Sequence, residues 1–315
     1  MALAPVKSTR RTSSSTSRTA SRAEHVVRVG GATISHPDKI WWPEEGITKL
    51  DVARFYADIA PRLVPWMASR PLAAERCPDG MRGECFFQKN FAHGLPDDVP
   101  TEPIAAATAG RTVHYVIGGS RKTLLALVNL GCIAVHVMNC RTGSLERPDW
   151  LAFDLDPGSG RFADAARAGR LLHQILDDLE LRSYPKTSGG RGLHVLVPLR
   201  PGPTQDAVRA FATDVGQTMA DRAPTLVTVA MSKAQRRGRV FADALRNAFG
   251  QTIVAPYSVR RRPSAPVSIP LDWDEVDPKL DPARCNIRTI AERLAGVDPW
   301  ADFWKHRQRL PDRSA

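Results

Sequence analysis

The stretch RPDWLAFDLDPGSG, residues 147–160, places two acids in an apolar run that predicts a β-strand ending at Pro157. Side chains two positions apart on a strand share a face, so Asp154 and Asp156 project side by side. Neighbouring carboxylates repel each other and are costly to bury unpaired. A hard divalent cation, Mg²⁺ or Mn²⁺, relieves both problems because it prefers oxygen ligands. Two exposed, salt-bridged acids at a strand end are the alternative interpretation.

A third acid, Asp243, lies in a second apolar segment, RVFADALRN, at residues 239–247. An acid is out of place on an apolar strand unless it has a function. Three carboxylates from two strands could hold two metal ions for in-line phosphoryl transfer. One ion would activate an attacking 3′ hydroxyl, and the other would neutralise the triphosphate and the departing pyrophosphate.

The segment KTSGGRGLHV, residues 186–195, predicts a phosphate-binding loop that leads into a strand. Ser188 and the glycine amides can donate hydrogen bonds to phosphate oxygens, and Arg191 and His194 add positive charge. The pattern also fits an ordinary hairpin turn, and no G-x-x-x-x-G-K loop occurs in the chain. His136, in the alternating run VHV, fits either a ligand-binding residue or a satisfied core histidine.

Two basic runs lie on either side of Asp243 in the sequence: KAQRRGRVF at residues 233–241 and SVRRR at residues 258–262. Their position around the predicted metal site favours contact with nucleic acid or a triphosphate. A solvated basic face is the alternative.

Apolar periodicity predicts helices and strands in alternation. The predicted helices are 49–62 with Thr48 as its cap, 123–131, 162–180, and 205–220 with Thr204 as its cap. The predicted strands include 112–117, 133–139, 192–199, 239–245 and 252–259. This alternation predicts a mixed α/β (α+β) fold in one domain over residues 26–305. A disordered basic tail, residues 1–25, and a C-terminal tail, residues 306–315, are predicted to flank it.

The chain carries a formal net charge of +11, of which the first 25 residues supply +4, so the body is itself basic. This balance favours a polyanionic partner, nucleic acid or an anionic membrane surface, over a mere solubility or genome-composition effect. No apolar run is long enough to span a bilayer, and the N-terminus lacks the apolar core of a secretory signal. The five cysteines form no C-x-x-C pair, and their odd number predicts neither a zinc site nor a disulfide framework. We therefore expect a cytoplasmic, nucleoid-associated protein.

Eight segments in one colinear order resemble the polymerase domain of bacterial DNA ligase D and its freestanding relatives, a branch of the archaeo-eukaryotic primase superfamily. They are HPDKIWWPEEGITK, RCPDG, GECFFQKN, LVNLGCIAVH, RPDWLAFDLDPG, KTSGGRGLHVLVPL, MSKAQRRGRVFADALRN and VAPYSVRRRPSAPVSIPLDWDEV. The resemblance covers residues 30–300 and implies a primase-like catalytic core with mixed and antiparallel sheets flanked by helices.

The resemblance also implies roles for individual residues. Asp154, Asp156 and Asp243 match the catalytic, metal-binding triad. Residues that hold the incoming nucleotide are matched by His136, Ser188, His194, Arg246, Arg260 and Arg262. Lys39 and Lys49 match the pair that grips a 5′ phosphate, and Arg76, Phe86 and Phe87 match the group that steers the template strand. The chain departs from the family at Glu75, in VHVMNC after the histidine, and at Ala242 and Ala244 beside the third acid.

The expected activity is template-directed addition of nucleotides, ribonucleotides preferentially, to 3′ ends at short gaps and double-strand breaks that carry a 5′ phosphate. The expected cofactors are two Mn²⁺ or Mg²⁺ ions. The expected partners are gapped or broken DNA, NTP or dNTP, a separate ATP-dependent DNA ligase and a Ku-type end-binding protein. Since the chain has neither a K-x-D-G ligase motif nor room for a nuclease, we expect a freestanding polymerase or a fragment holding only that domain. A primase that starts chains without a primer, and a non-catalytic end-binding or bridging module, are the alternatives.

Overall fold

A computed structural model describes residues 25–106 and 110–311, so residues 1–24 of the predicted N-terminal tail and the last four residues lie outside the described chain. The strands are β1 Val26–Val29, β2 Ala32–Ser35, β3 Ile40–Trp42, β4 Ile47–Thr48, β5 Pro71–Arg76, β6 Phe86–Gln88, β7 Thr101–Ala105, β8 Thr112–Ile117, β9 Cys132–Val137, β10 Trp150–Pro157, β11 Tyr184–Thr187, β12 Leu193–Pro198, β13 Val227–Thr228, β14 Val240–Asp243 and β15 Ile253–Val254. The α-helices are α1 Lys49–Met67, α2 Arg121–Asn129, α3 Phe162–Asp178, α4 Gln205–Arg222, α5 Lys233–Arg236 and α6 Ile290–Leu294.

Two main sheets share one continuous apolar core. The first sheet has the order β11-β12-β10-β14-β13, and only its β13–β14 pair is parallel. The second has the order β15-β9-β5-β8-β7, with β6 added alongside β5. Helices α3 and α4 contact the first sheet, while α1 and α2 contact the second. The predicted mixed α/β class with antiparallel sheets and flanking helices is therefore confirmed.

Helix α1 begins at the predicted residue and ends five residues after its predicted end. Thr48 accepts a hydrogen bond from the Asp51 amide, and the Asp51 side chain accepts one from the Thr48 amide, which makes a capping box. The prediction ended at residue 62, but the apolar stripe continues through the buried residues Leu63, Trp66 and Met67. Burial of this stripe outweighs the hydrogen bonds that Pro61 and Pro65 remove from the helix.

The segment TIVAPYSV, predicted as a strand over residues 252–259, pairs with β9 only at Ile253 and Val254. Pro256 has no amide hydrogen for a ladder, and Tyr257 takes a φ of 67°, which is incompatible with a strand. The rest of the segment is buried as irregular backbone. The prediction was wrong beyond its first residues.

The prediction against disulfides is wrong for one pair of cysteines. Cys77 and Cys85 form a disulfide whose Cα atoms lie 4.4 Å apart. Antiparallel pairing of β5 with β6 places Arg76 opposite Phe86, so the next residue on each side faces its counterpart. Cysteine counting could not find this pair because strand pairing brought it together.

The start of the predicted C-terminal tail is joined to the body. The Gln308 amide donates to the Pro198 carbonyl, and the Gln308 carbonyl accepts from the Arg200 amide. Within residues 25–106 and 110–311, no helix has the length and apolar character required to cross a membrane.

Candidate active site

The structure brings the three predicted catalytic aspartates together at the centre of the first sheet. Strands β10 and β14 are antiparallel neighbours, and Asp154 stands directly opposite Asp243. Asp156 lies two residues further along β10, opposite Phe241, and so shares the face of Asp154. Asp154 and Asp243 are largely buried, whereas the Asp156 side chain is 60% exposed. The three carboxylates form an acidic edge that opens to solvent at Asp156.

Basic side chains lie against each carboxylate. Arg246 Nε is 3.1 Å from Asp154 Oδ2 and 3.7 Å from Asp243 Oδ2. Arg236 Nη1 lies 3.4 Å from Asp156 Oδ2 and sits over the Phe241 ring. These guanidinium groups compensate the charge that three adjacent carboxylates concentrate.

The carboxylates fit a divalent cation in donor chemistry and in strand register, since all three offer hard oxygen atoms from neighbouring positions. Among the described residues, however, no three His, Cys, Asp or Glu side chains are gathered closely enough to hold a metal ion. Arg236 and Arg246 instead contact oxygen atoms of all three carboxylates. The assignment of the triad as metal ligands therefore stays a prediction.

A polar row crosses four strands of the first sheet at the level of Asp154. Lys186, His194, Asp154 and Asp243 are successive cross-strand partners on β11, β12, β10 and β14. Lys186 Nζ lies 2.9 Å from His194 Nδ1, and His194 Nε2 lies 3.3 Å from Asp154 Oδ1. Such a row is high in energy unless its members pair, because the sheet centre excludes water.

Burial and neighbouring charges shift the pKa values of the groups in this row. Burial lowers the pKa of His194 to about 4 and also lowers the pKa of Lys186 well below its usual value. Burial raises the pKa of Asp154, but His194 and Arg246 outweigh it, so the net pKa is lowered. The pKa of Asp243 is raised by burial and by the nearby Asp154 charge. Asp154 is therefore the more strongly ionised member of the facing pair.

A basic cavity of about 490 Å³ lies on one side of the carboxylates. Its lining includes the three aspartates and the predicted phosphate-binding residues Ser188, Arg191, His194, Arg246, Arg260 and Arg262. Ser188 Oγ accepts hydrogen bonds from the Gly190 and Gly192 amides, so these amides shape the loop. Donation from Ser188 and the glycine amides to phosphate stays a prediction.

Position 189 in this loop requires glycine. Its φ is 67°, and a Cβ atom there would lie 2.4 Å from Arg260 Cγ. The close approach lets Arg260 Nη1 donate to the Ser188 carbonyl at 2.5 Å. Glycine therefore fixes the arginine against the loop.

A second cavity of about 400 Å³ adjoins the first and shares its residues Asp154, His194, Arg246 and Arg260. Its outer wall includes Phe87 and His136, whose rings meet edge to face with centroids 5.1 Å apart. His136 Nε2 is buried without a hydrogen-bond partner among the described residues, and burial lowers the pKa of this ring. Together the cavities offer a partly aromatic compartment and a basic one, and the Asp154 carboxylate lines both.

Sequence reasoning did not single out Arg236, Lys233 or Lys186, although all three lie at or behind the basic cavity. Arg236 and Lys233 belong to the quoted basic run, so charge was the available signal for them. Lys186 is fully buried, and only the strand pairing reveals its contact with His194.

The residues predicted to contact the template strand lie on two different faces of the sheet. Arg76 is opposite Phe86 across β5 and β6, with its guanidinium carbon 5.4 Å from that ring. Phe87, the next residue, points to the other side and lines the cavity with His136. Phe86 and Phe87 are both exposed aromatic rings, as a stacking surface requires.

The predicted 5′-phosphate pair lies in two environments. Lys39 is partly exposed, and its Nζ is 2.8 Å from Asp79 Oδ1. Lys49 is 5% exposed, and its Nζ donates to the Asn129 carbonyl at 2.7 Å. Only Lys39 presents its ammonium group at the surface.

The family model described as "LigD, primase-polymerase domain" matches residues 48–300. The chain belongs to the LigD primase-polymerase domain family. It is 37% identical to the multifunctional non-homologous end joining protein LigD of Pseudomonas aeruginosa over 311 residues, which covers 97% of the chain and 36% of that relative. It is 31% identical to the bifunctional non-homologous end joining protein LigD of Bacillus subtilis over 87% of the chain and 44% of the relative. The chain thus spans less than half the length of these relatives.

The polymerase domain of Mycobacterium tuberculosis ligase D in complex with DNA has the same fold. Its structure superposes with a TM-score of 0.80 at 31% identity and covers 88% of this chain and 99% of that domain. The resemblance stated from the sequence is confirmed. The chain therefore corresponds to the primase-polymerase domain of the LigD end joining repair proteins.

Proposed function

We propose that this polymerase domain adds nucleotides to the 3′ end of a primer strand at short gaps and double-strand breaks in DNA. The observation that carries the proposal is the direct pairing of Asp154 with Asp243, with Asp156 on the same face, beside a basic cavity. Carboxylates next to arginines and a glycine-rich loop are the components that nucleotidyl transfer requires.

Asp154, Asp156 and Asp243 would hold two divalent cations, Mg²⁺ or Mn²⁺. When bound, such ions polarise the phosphoryl group and stabilise the attacking and departing oxygens. Arg236 and Arg246, which contact the carboxylates, would exchange part of that contact for the triphosphate. This exchange keeps the site compensated in charge before and after substrate binds.

The two cavities divide the incoming nucleotide between them. The basic cavity, with Ser188, Arg191 and Arg262, would bind the triphosphate through charge-assisted hydrogen bonds. The adjoining cavity would bind the sugar and base, where the neutral His136 ring offers an unpaired nitrogen to a sugar hydroxyl. This unpaired ring nitrogen is the observation that supports the proposed preference for ribonucleotides.

The DNA contacts proposed here come from the second sheet and its neighbours. Arg76 and Phe86 present a charged and aromatic surface to the template strand, and Lys39 presents an ammonium group to a 5′ phosphate. We place the chain in the cytoplasm at the nucleoid, with a separate ATP-dependent ligase to seal the product and a Ku-type protein to hold the ends.

A primer-extension assay on gapped DNA tests this proposal. Asp154→Ala and Asp156→Ala should each lower extension by several orders of magnitude while DNA binding persists, because each removes a proposed metal ligand. Asp221→Ala, at an exposed acid on α4, is the matched control and should extend like wild type. Extension at the wild-type rate by either active-site variant would instead support the end-binding module. Crossing NTP against dNTP, and Mg²⁺ against Mn²⁺, in the wild-type reaction tests the substrate and metal assignments.

A further inference from the structure

The loop between β5 and β6 is closed at its base by the Cys77–Cys85 disulfide. Cys77 directly follows Arg76, and Cys85 directly precedes Phe86. Since Arg76 and Phe86 are cross-strand partners, the disulfide lies immediately beside the proposed template surface. A covalent link at this point holds the guanidinium group and the ring in register.

The same loop also holds Lys39. Lys39 Nζ donates to the Pro78 carbonyl at 3.1 Å and pairs with Asp79 at 2.8 Å. The Met81 amide donates to the Trp41 carbonyl at 2.8 Å, which binds the loop to β3. Gly80 approaches β3 so closely that a Cβ atom there would lie 2.8 Å from the Ile40 carbonyl oxygen. One closed loop thus orders the proposed contacts to both the template strand and the 5′ phosphate.

We propose that Cys77 and Cys85 form a reversible thiol–disulfide modification site that sets the preference of the chain for 5′-phosphorylated DNA ends. The inference rests on the proposed function, because it concerns the DNA contacts of the same site. The two cysteine residues differ in exposure, since Cys77 is fully buried and Cys85 is partly exposed. A small thiol therefore reaches Cys85 first.

Reduction by a dithiol proceeds in two balanced exchanges. A thiolate of the reductant attacks Cys85 Sγ, the bond between the cysteines breaks, and Cys77 leaves as a thiolate that takes up a proton. The second thiolate of the reductant then attacks its own sulfur in the mixed disulfide and releases Cys85. In the reverse direction a hydroperoxide accepts two electrons and two protons from the thiols, giving the disulfide, an alcohol and water.

The oxidised form is the one that binds the 5′ phosphate more tightly. A closed loop presents Arg76, Phe86 and Lys39 already ordered, so less conformational entropy is lost on binding. The exposed Lys39–Asp79 ion pair contributes little, so freeing Lys39 from it does not compensate for a disordered loop. Reduction should lower the ratio of affinities for 5′-phosphorylated over 5′-hydroxyl gapped DNA roughly 3- to 10-fold.

The experiment uses the wild-type chain before and after treatment with dithiothreitol. The dissociation constant is measured for gapped DNA with a 5′ phosphate and with a 5′ hydroxyl, and free thiols are counted by alkylation in denaturant and mass spectrometry. The oxidised chain should carry three free thiols and the reduced chain all five. The double variant Cys77→Ser/Cys85→Ser should behave as the reduced chain in either condition. Cys285→Ser, at a partly buried free cysteine, is the matched control and should respond like wild type.

An affinity ratio that is equal in the three-thiol and five-thiol forms would overturn the proposal, as would a pair that no dithiothreitol concentration reduces. Should the double variant fail to fold, the wild-type comparison still decides. Extension of a primer–template without a downstream strand is measured in parallel. Absence of extension in both forms contradicts the proposed function, whereas normal extension with an unchanged affinity ratio contradicts the thiol–disulfide site alone.

Discussion

Lys39 and Lys49 are backbone neighbours, since the Lys49 amide donates to the Lys39 carbonyl, yet their side chains differ in what they can bind. Lys49 is buried among the oxygens of Asn129 and Ser35, which satisfy its ammonium group. Within residues 25–106 and 110–311, the Lys39 ammonium group pairs with Pro78 and Asp79 of one loop. A phosphate can therefore reach Lys39 directly, while Lys49 supports the backbone beneath it.

Replacing Lys39 with Gln should remove most of the advantage of a 5′ phosphate over a 5′ hydroxyl at a gap. Loss of one charge-assisted contact is expected to lower that preference roughly 10-fold. Gap filling at both DNA ends is the measurement, and Lys122→Gln, at the comparable exposed Lys122–Asp98 pair, is the matched control. An unchanged preference in the Lys39 variant would show that the phosphate binds elsewhere.

The sequence predicted that Asp154 and Asp156 share a face, because side chains two positions apart on a strand point to the same side. It could not place Asp243 opposite Asp154, because no local rule sets the register between strands that are distant in sequence. The same holds for the contact of Lys186 with His194, which also depends on strand pairing. The candidate site residues could be identified from the sequence, but their pairing across strands could not.

Strand β10, which carries two of the aspartates, is anchored at its start by a buried ion pair. Arg70 is fully buried over the Trp150 ring, and Asp149 accepts from its guanidinium group at 2.7 Å. Arg141 adds a second contact to the same carboxylate at 2.8 Å. The pair holds the loop that precedes β10 against α1, whose last turn lies beside Arg70.

Asp149→Ala should therefore destabilise the chain by about 3–5 kcal/mol, since it leaves Arg70 as an uncompensated buried charge. Urea unfolding of the variant and wild type measures the change in the free energy of unfolding. Asp98→Ala, at an exposed pair, should cost no more than about 1 kcal/mol. Similar losses for the two variants would mean that the buried pair does not anchor β10.

Helices were the most predictable elements because caps and apolar periodicity are local. Thr48 and Thr204 cap α1 and α4 as the sequence indicated. Strand β13, of two residues, was not predicted, and β15 was predicted but is shorter than expected, because both depend on neighbours in the sheet. The Cys77–Cys85 disulfide was not predicted because it, too, depends on the pairing of strands.

Under the proposed function, the basic balance of the whole chain, +11 in formal charge, should govern how tightly it binds DNA. Each phosphate that the protein neutralises releases condensed counterions, so affinity should fall steeply as salt rises. A plot of log affinity against log salt for gapped DNA should have a slope of about −3 or steeper. Lys39→Gln should reduce that slope by about 1 for 5′-phosphorylated DNA, and a salt-independent affinity would contradict the proposed electrostatic binding.

The proposed function requires Asp154 and Asp243 to act at one centre. The most direct test is the rate of single-turnover nucleotide addition in Asp154→Ala, Asp243→Ala and the double variant, each at saturating nucleotide and Mn²⁺. Rate losses at groups that act as a unit do not multiply. The double variant should therefore add nucleotide at a rate within a few-fold of that of the slower single variant. Losses that multiply in the double variant, or an Asp243→Ala chain that extends at the wild-type rate, would contradict it.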